Sequence, residues 1–154
     1  MTRIERLQKR LEKLYIDAFL VTNHDNIFYL AGFDLMAGDG YLLITKNDAI
    51  IVSDDRYQLA LEEFDSDEVV ATITRDYYGA LNRICQALKV TVLGYEDTLS
   101  YRLYDVLDEV MVADIVPFTN LIEKMRMIKD SGELTKLQRA ADLQAQGYQY
   151  VLNQ

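Results

Sequence analysis

The N-terminal part of the chain alternates short apolar runs with charged and turn-forming residues. Its first apolar residues recur at steps of three and four, which is the spacing of an amphipathic helix: Ile4, Leu7, Leu11 and Leu14. The apolar run at residues 18–22 follows and predicts a buried strand. Residues 23–26 then offer several N-cap candidates for a short helix, and Gly32 closes that helix because glycine tolerates a left-handed backbone.

A polar segment separates this short helix from the next two apolar runs. Residues 33–40 contain two glycines and two aspartates without a hydrophobic period, which predicts a loop. Residues 41–45 and 49–52 are apolar, and the polar residues 46–48 join them. Two apolar runs joined by a short polar turn predict a β-hairpin.

The second half of the chain continues to alternate helices and strands. In chain order the predicted elements are a helix capped by Asp54 that runs through Tyr57, Leu61 and Phe64, a strand at 69–73, a helix at 77–88, a strand at 90–94, a helix capped by Ser100, and a strand at 115–116 that Pro117 ends. Strands that alternate with helices, together with one hairpin, predict an α/β fold. The expected architecture is a mixed β-sheet of about six strands flanked by helices.

The C-terminal residues show a longer helical pattern. Apolar residues at helical spacing first predict a short amphipathic helix over 121–128. Asp130 and Glu133 then resemble a capping box, and apolar residues continue at helical steps to Val151. Because this pattern reaches Gln154 without a glycine or proline stop, we expect a truncated chain. The predicted division is an N-terminal domain at 1–128 and a linker helix at 129–154 that starts a further domain.

The distribution of charge disfavours two classes of partner. The formal net charge is −9, and the acidic excess is concentrated at residues 54–68 and 96–114. Nucleic-acid binding depends on clustered lysine and arginine, and anionic membrane surfaces attract basic segments. We therefore expect neither nucleic acid nor a membrane as a partner.

Cysteine usage and the N-terminus suit a cytoplasmic protein. Cys85 is the only cysteine, so the chain has no intrachain disulfide. The first residues alternate charge with leucine and lack the apolar core of a signal peptide. No apolar run approaches the roughly 20 residues that a membrane-spanning helix needs. The predicted location is the cytoplasm.

Four short motifs follow one another along the chain. They are residues 17–22 with 26–33, the tetrad Asp54-Asp55-Arg56-Tyr57 after the hairpin, residues 94–96 with Ser100 and Tyr101, and residues 125–130 with Glu133 and Leu134. In order and spacing they resemble the N-terminal domain of the creatinase, prolidase and aminopeptidase P family. The tetrad is similar to that family's D-x-R-Y, and the last motif is similar to its R-x-I-K-x-x-x-E-[IL] junction with the catalytic domain.

The resemblance implies a ribonuclease H-like fold and a parent protein that is a bacterial Xaa-Pro dipeptidase or aminopeptidase. In this family two Asp, one His and two Glu of a C-terminal domain bind two divalent metal ions (Mn, Co or Zn). The metal ions activate a water molecule. None of those ligands is expected before Gln154. The implied role of this chain is non-catalytic, namely dimerisation of a homodimer and access for a proline-containing peptide substrate.

Two other hypotheses remain open. The first is a stand-alone protein-interaction module that has this fold and no peptidase activity. The second is an independent small hydrolase, which is disfavoured because no nucleophile and base are paired in the sequence. The natural length of the protein discriminates between the module and the peptidase.

Three residues are candidates for substrate binding. Arg56 lies beside Asp54 and Asp55, where a structural ion pair is the simplest role. The resemblance adds a second role for Arg56, because the arginine of D-x-R-Y can contact the peptide, and a guanidinium suits bidentate contact with a carboxylate. The resemblance also implies that the 33–40 loop can approach a neighbouring catalytic pocket. Asp34 and Asp39 would there attract a substrate's amino terminus, and the alternative is an ordinary surface loop.

Other reactive residue types have simpler explanations. His24 has no partner cluster in the sequence, so a structural or capping role is expected. Cys85 shares the apolar face of a predicted helix and is expected to be a small buried hydrophobic residue. The adjacent acidic pairs, Asp54/Asp55, Glu62/Glu63 and Glu96/Asp97, are expected to cap helices or face solvent. The central strands carry no acids, which argues against a nuclease site.

Overall fold

The structure, a computed structural model, describes residues 1–153. The helices are α1 (Arg3–Leu14), α2 (His24–Ala31), α3 (Gln58–Glu62), α4 (Tyr77–Ala87), α5 (Tyr101–Val110), α6 (Leu121–Met127) and α7 (Ser131–Leu152), with a 3-10 turn at Asp55–Tyr57. The strands are β1 (Ala18–Val21), β2 (Gly40–Thr45), β3 (Ala49–Ser53), β4 (Val70–Ile73), β5 (Val92–Glu96) and β6 (Asp114–Phe118). The predicted α/β fold with a six-stranded mixed sheet is confirmed.

The sheet has the strand order β4-β3-β2-β1-β5-β6. β2 runs antiparallel to both β1 and β3, and the pairs β1–β5, β5–β6 and β3–β4 are parallel. Five strands therefore point the same way and only β2 is reversed. Parallel strands have their carboxyl ends at one edge of the sheet, and that edge is where ligand sites of open α/β sheets lie.

The core lies on both faces of the central strands. Every residue of β1, β2 and β3 is buried, as expected for strands that helices cover on both sides. One hydrophobic cluster packs Ala18 and Leu20 of β1 against Leu81 and Cys85 of α4 and against Leu107 of α5. The alternate residues of β1 point to the opposite face. There α1 contacts β2 and α2.

Local sequence explains how α1 begins and how α2 begins and ends. The Thr2 side chain accepts a hydrogen bond from the Glu5 amide, and the Glu5 carboxylate in turn accepts one from the Thr2 amide, which is a capping box. The Asn23 side chain caps α2 by accepting from the amides of residues 25 and 26. Gly32 ends α2 with φ 75°. The predicted caps of α2 are confirmed.

Three predicted boundaries were wrong. The strand predicted at 90–94 is β5 at Val92–Glu96, because pairing with β1 sets its register and places Leu93 opposite Ala18. The helix predicted from Asp54 through Phe64 is divided into a 3-10 turn and the short α3. Pro117 does not end the last strand. It lies inside β6, and a strand at the edge of a sheet tolerates proline, which lacks an amide donor.

The chain divides into two compact units, Met1–Ile122 and Glu123–Gln154. The first unit carries the whole sheet. The second contains α7, whose predicted capping box is confirmed: the Asp130 side chain accepts from the Glu133 amide at 2.8 Å and the Asp130 amide donates to Glu133 at 2.9 Å. No described residue of α7 is buried. Its stability as a helix depends on local interactions and its length.

Candidate functional site

The carboxyl edge of the sheet collects most polar side chains that have tertiary partners. It is formed by the carboxyl ends of the five parallel strands and by the amino end of β2. The residues that meet there come from distant parts of the chain: Asn23, Asp39, Asp54, Arg56, Tyr77 and Glu96. They form two separate groups, one around Arg56 and one around Glu96.

Arg56 lies at the carboxyl end of β3 and is held by a fork of contacts with Asp54. Its Nε donates to Asp54 Oδ1 at 2.9 Å and its Nη2 donates to Asp54 Oδ2 at 2.7 Å. The Arg56 backbone amide also donates to Asp54 Oδ1 at 3.0 Å. The 3-10 turn that Asp54 caps makes this geometry possible, since it folds the side chain of residue 56 back over residue 54.

Asp39, at the end of the 33–40 loop, joins the same group. Its Oδ1 accepts from Arg56 Nη2 at 2.7 Å, and its Oδ2 accepts from the Tyr57 hydroxyl at 2.9 Å. Its carbonyl oxygen accepts from the buried Ser53 hydroxyl at 2.7 Å. The amide of Met36 donates to the Tyr57 hydroxyl at 3.3 Å. The loop is therefore fastened to the end of β3 at two points and is an ordered part of the edge.

Electrostatics in this group favour the ionised forms of Asp54 and Arg56. Hydrogen bonds from the Arg56 guanidinium, and then the Tyr77 hydroxyl, hold the pKa of Asp54 well below its usual range. Hydrogen bonds to Asp54 and then to Asp39 raise the pKa of Arg56 above its ordinary value. Two carboxylates and one guanidinium thus lie within hydrogen-bonding distance, which leaves this group with a formal charge of −1.

The three predicted substrate-binding residues are placed differently. Arg56 and Asp39 are brought together as an ion pair, which the sequence did not predict. The Arg56 side chain is 60% exposed, and within residues 1–153 its Nη1 makes no hydrogen bond. The Asp39 side chain is 21% exposed, with both oxygens engaged. Asp34 is exposed and is not part of the cluster.

A second group is centred on Glu96 at the end of β5. Glu96 is 6% exposed. Its Oε2 accepts from the Thr22 amide at 2.6 Å, from the Asn23 amide at 2.7 Å and from the Thr22 hydroxyl at 2.9 Å. Its Oε1 accepts from Asn26 Nδ2 at 2.6 Å. The prediction that Glu96 caps a helix or faces solvent was wrong, because these donors replace the water that the carboxylate loses on burial.

Sequence reasoning missed Glu96 because its donors are 70 to 74 positions away. The only local signal is a glutamate at the end of an apolar strand, directly before the Asp97-Thr98 turn. Its neighbour Asp97 is exposed and accepts from the Thr119 hydroxyl at 2.5 Å. The two acids of this pair therefore have opposite environments.

An open cleft of about 240 Å³ lies between the loops that follow β1 and β5. The connection from β1 leads to β2 on one side, and the connection from β5 leads to β6 on the other, so this is the topological switch point of the sheet. The amides of Thr22 and Asn23, which an anionic ligand would use, already donate to Glu96. A bound anion would have to compete with this carboxylate, so the cleft disfavours phosphate-type ligands.

The remaining candidates lie outside the two groups. His24 is the first residue of α2 and is half-exposed, and its Nε2 lies 3.3 Å from Asp25 Oδ1. It does not cap α2, because Asn23 is the N-cap of that helix. Cys85 is buried in the core, where burial raises the pKa of its thiol to about 11. Asp55 Oδ2 forms an ion pair with Arg75 Nη2 at 2.7 Å. The hydrogen bond from Arg75 is the main reason why the pKa of Asp55 is lowered. The structural expectation for Cys85 is confirmed.

Neither group has the character of a metal site. Among residues 1–153 no three His, Cys, Asp or Glu side chains are arranged to hold a metal ion. The carboxylates of Asp39 and Asp54 already face a guanidinium, which occupies the position that a cation would take. Across the same described residues, no helix combines the length and the apolar character needed to cross a membrane.

The fold is that of a known class of domain. A sequence profile described as the Creatinase/Prolidase N-terminal domain matches residues 3–128. The chain therefore belongs to the creatinase/prolidase N-terminal domain family, as the sequence motifs indicated.

Its relatives are peptidases by name. A Bacillus subtilis protein named uncharacterized peptidase YqhT is 27% identical over 157 residues, which cover 97% of this chain and 42% of the relative. An Xaa-Pro dipeptidase of Pyrococcus horikoshii is 26% identical over 144 residues, which cover 92% of this chain and 39% of the relative. The chain thus spans about two fifths of the length of these relatives.

Solved structures agree with this assignment. The Xaa-Pro dipeptidase from Bacillus anthracis superposes with a TM-score of 0.85 at 31% identity, covering 97% of this chain and 42% of that chain. An Xaa-Pro aminopeptidase (aminopeptidase P) from Streptococcus thermophilus superposes with a TM-score of 0.74 at 26% identity, covering 80% of this chain and 95% of that chain. The mixed sheet with flanking helices is common to them.

Proposed function

We propose that this chain is the non-catalytic N-terminal domain of a metal-dependent Xaa-Pro peptidase in the cytoplasm. One observation supports it above the others: relatives named as peptidases match 92–97% of this chain while the chain spans only 39–42% of them. The chemistry is then carried by a catalytic domain outside residues 1–154. The two divalent metal ions (Mn, Co or Zn) implied by the family would be bound in that domain.

Within this role, Arg56 is the proposed contact to the substrate. Its Nε and Nη2 are engaged by Asp54 and Asp39, so the guanidinium is fixed in orientation before any ligand binds. Its Nη1 has two N–H donors that remain for a carboxylate or carbonyl oxygen of a proline-containing peptide. Holding the guanidinium in place lowers the entropy lost on binding.

The two aspartates complete the proposed substrate contact. Asp34 is exposed on the 33–40 loop, and we propose that it attracts a positively charged amino terminus. Asp39 is engaged by Arg56 and Tyr57, so we propose that it acts chiefly through the negative charge it adds to the cluster. The proposed assembly is a homodimer of the parent enzyme, in which this loop reaches the neighbouring catalytic pocket.

The experiment compares two proteins, the product of the complete reading frame and the 154-residue chain. Both are assayed for hydrolysis of Ala-Pro and of a longer Xaa-Pro peptide, with Mn²⁺, Co²⁺ or Zn²⁺ and after chelation. We expect metal-dependent cleavage by the full product and none by the 154-residue chain. Cleavage by the chain alone, or none by the full product, would overturn the proposal. Sedimentation of the full product tests the homodimer.

The role of Arg56 is tested in the same full product. Arg56→Ala is expected to raise KM for Ala-Pro roughly tenfold or more, the factor that corresponds to losing a hydrogen bond to a charged group. Arg75→Ala is the matched control, because Arg75 is an exposed arginine that pairs with Asp55 nearby. Equal KM values for the two variants would contradict a role for Arg56 in substrate binding.

A stand-alone interaction module is the second candidate. It is favoured by the exposed apolar residues of α7, which include Leu134, Leu137, Leu143 and Tyr148. The intact mass of the native protein separates the two candidates. A mass of 17.8 kDa favours the module, whereas the coverage of the relatives corresponds to a product more than twice as long.

A further inference from the structure

Tyr77 brings a hydroxyl group from α4 to the Arg56 cluster. Its Oη donates to Asp54 Oδ2 at 2.5 Å, on the same carboxylate oxygen that accepts from Arg56 Nη2. The Tyr77 hydroxyl also lies 3.1 Å from the carbonyl oxygen of Asp39. Tyr77 therefore brings a third element, α4, into contact with both the turn at 54–57 and the 33–40 loop.

The position of this hydroxyl is determined by packing. The Tyr77 ring packs edge-on against Tyr41 of β2, with ring centroids 5.8 Å apart. Tyr77 is the first residue of α4, and the Asp76 side chain caps that helix by accepting from the Gly79 amide at 3.0 Å. Because both the ring and the helix start are fixed, the hydroxyl can hold the Asp54 carboxylate in one orientation.

We propose that Tyr77 is a positioning residue for Arg56. Its hydroxyl fixes the Asp54 carboxylate, the carboxylate fixes Nε and Nη2 of Arg56, and the guanidinium is thereby held in one orientation with Nη1 left for a ligand. This rests on the proposed function for the identity of the ligand, a peptide carboxylate or carbonyl, but the positioning itself is a property of the ligand-free chain.

The protonation behaviour of the group agrees with this arrangement. Burial, and then the hydrogen bond to Asp54, raise the pKa of Tyr77 to about 12, so the hydroxyl remains a donor at neutral pH. Without the hydroxyl, Asp54 Oδ2 keeps a single donor, and the carboxylate is held only by its three hydrogen bonds from Arg56. The orientation of the Asp54 carboxylate towards Arg56 would then depend only on contacts within the turn at 54–57.

The chain provides a matched control in the next residue. Tyr78 is also on α4 and also packs against Tyr41, but its hydroxyl bonds the Tyr41 hydroxyl at 2.9 Å and makes no contact with Asp54, Asp39 or Arg56. Tyr77→Phe and Tyr78→Phe each delete one part-buried hydroxyl from the same helix. A general loss of stability would affect both variants, whereas positioning of Arg56 depends only on the first.

The test is NMR of the ligand-free 154-residue chain. Tyr77→Phe is expected to accelerate hydrogen exchange at Arg56 Nε–H roughly tenfold, as for loss of a charge-assisted hydrogen bond, and to raise the Asp54 pKa measured from its carboxyl carbon. Tyr78→Phe should change neither the exchange rate of Arg56 Nε–H nor the pKa of Asp54. This should hold even where Tyr78→Phe lowers the thermal midpoint of unfolding as much as Tyr77→Phe does. Unchanged Arg56 exchange in Tyr77→Phe, or equal acceleration in both variants, overturns the proposal.

A measurement on the wild-type chain covers the case in which Tyr77→Phe does not fold. The Tyr77 hydroxyl proton should be observable, protected from exchange, with a nuclear Overhauser effect to the Arg56 guanidinium protons. Absence of that contact overturns the positioning role. The substrate role is judged separately: unchanged KM in Arg56→Ala of the full product refutes the proposed function, and the ligand-free exchange data still decide the role of Tyr77.

Discussion

Glu96 Oε1 accepts a hydrogen bond from Asn26 Nδ2 at 2.6 Å, between two buried side chains 70 positions apart in the chain. Glu96 ends β5 and Asn26 lies in the first turn of α2. This bond, with the contacts of Glu96 to Thr22 and Asn23, fastens the loop after β1 to the neighbouring parallel strand. The switch point of the sheet is thus stabilised by the chain's own carboxylate.

Removal of the Glu96 charge is expected to destabilise the sheet unit. Glu96→Gln offers one acceptor oxygen where two now serve four donors, so at least one buried donor loses its partner. We expect a loss of about 2 kcal/mol in the free energy of unfolding, typical of hydrogen bonds to a charged group. Urea denaturation measures it. Glu63→Gln makes the same chemical change at an exposed position and should have no effect; equal losses would contradict this account.

Acid should weaken the hydrogen bonds of the Asp17 carboxylate to Thr91 and Val92, which lie at the edge of the sheet opposite to Glu96. The Thr91 hydroxyl and amide, then the Val92 amide and Lys46, lower the pKa of Asp17 to about 2. A carboxyl whose folded pKa is lowered contributes stability above its unfolded pKa, and that contribution is lost as pH falls from about 4 to about 2. The advantage of the wild type over Asp17→Asn should shrink across this window in urea denaturation. A constant difference from pH 6 to pH 2 would show that the Asp17 charge contributes nothing.

The thiol of Cys85 should be unreactive in the folded protein. It is 1% exposed, and burial raises its pKa to about 11, so both access and the thiolate fraction are low at pH 8. With a chromogenic disulfide reagent we expect no fast reaction in the native chain. One equivalent should react after unfolding in guanidinium, which serves as the control. Rapid stoichiometric labelling of the native chain would mean that α4 opens readily.

Two glycines should respond oppositely to a methyl group. A Cβ on Gly40 would lie 2.6 Å from the Val52 carbonyl oxygen across the β2–β3 pair, so Gly40→Ala is expected to cost about 1–3 kcal/mol. A Cβ on Gly147 in α7 meets nothing within 4 Å. Gly147→Ala should therefore raise helicity, by about 1 kcal/mol of helix propensity. Circular dichroism with urea denaturation checks both, and a stable Gly40→Ala variant would mean that the hairpin shifts to accept the methyl group.

The sequence by itself determined the kind and order of the elements, because these depend on neighbouring residues. Apolar spacing predicted α1, and side-chain caps predicted where α2, α5 and α7 begin. Hydrophobic periodicity and capping act over a few residues, so they can be recognised without knowledge of the fold. The family motifs were recognisable for the same reason, since each is a short local segment.

Only the tertiary structure decided which distant residues meet. Pairing with β1 moved the β5 strand two residues beyond its apolar run and placed Glu96 beside Asn26. The position of β6 at the sheet edge allowed Pro117 within a strand. The return of the 33–40 loop to the end of β3 converted Arg56 and Asp39, two separate candidates in the sequence, into one ion pair. Strand register and loop return depend on contacts between residues far apart in the chain, and no local pattern encodes them.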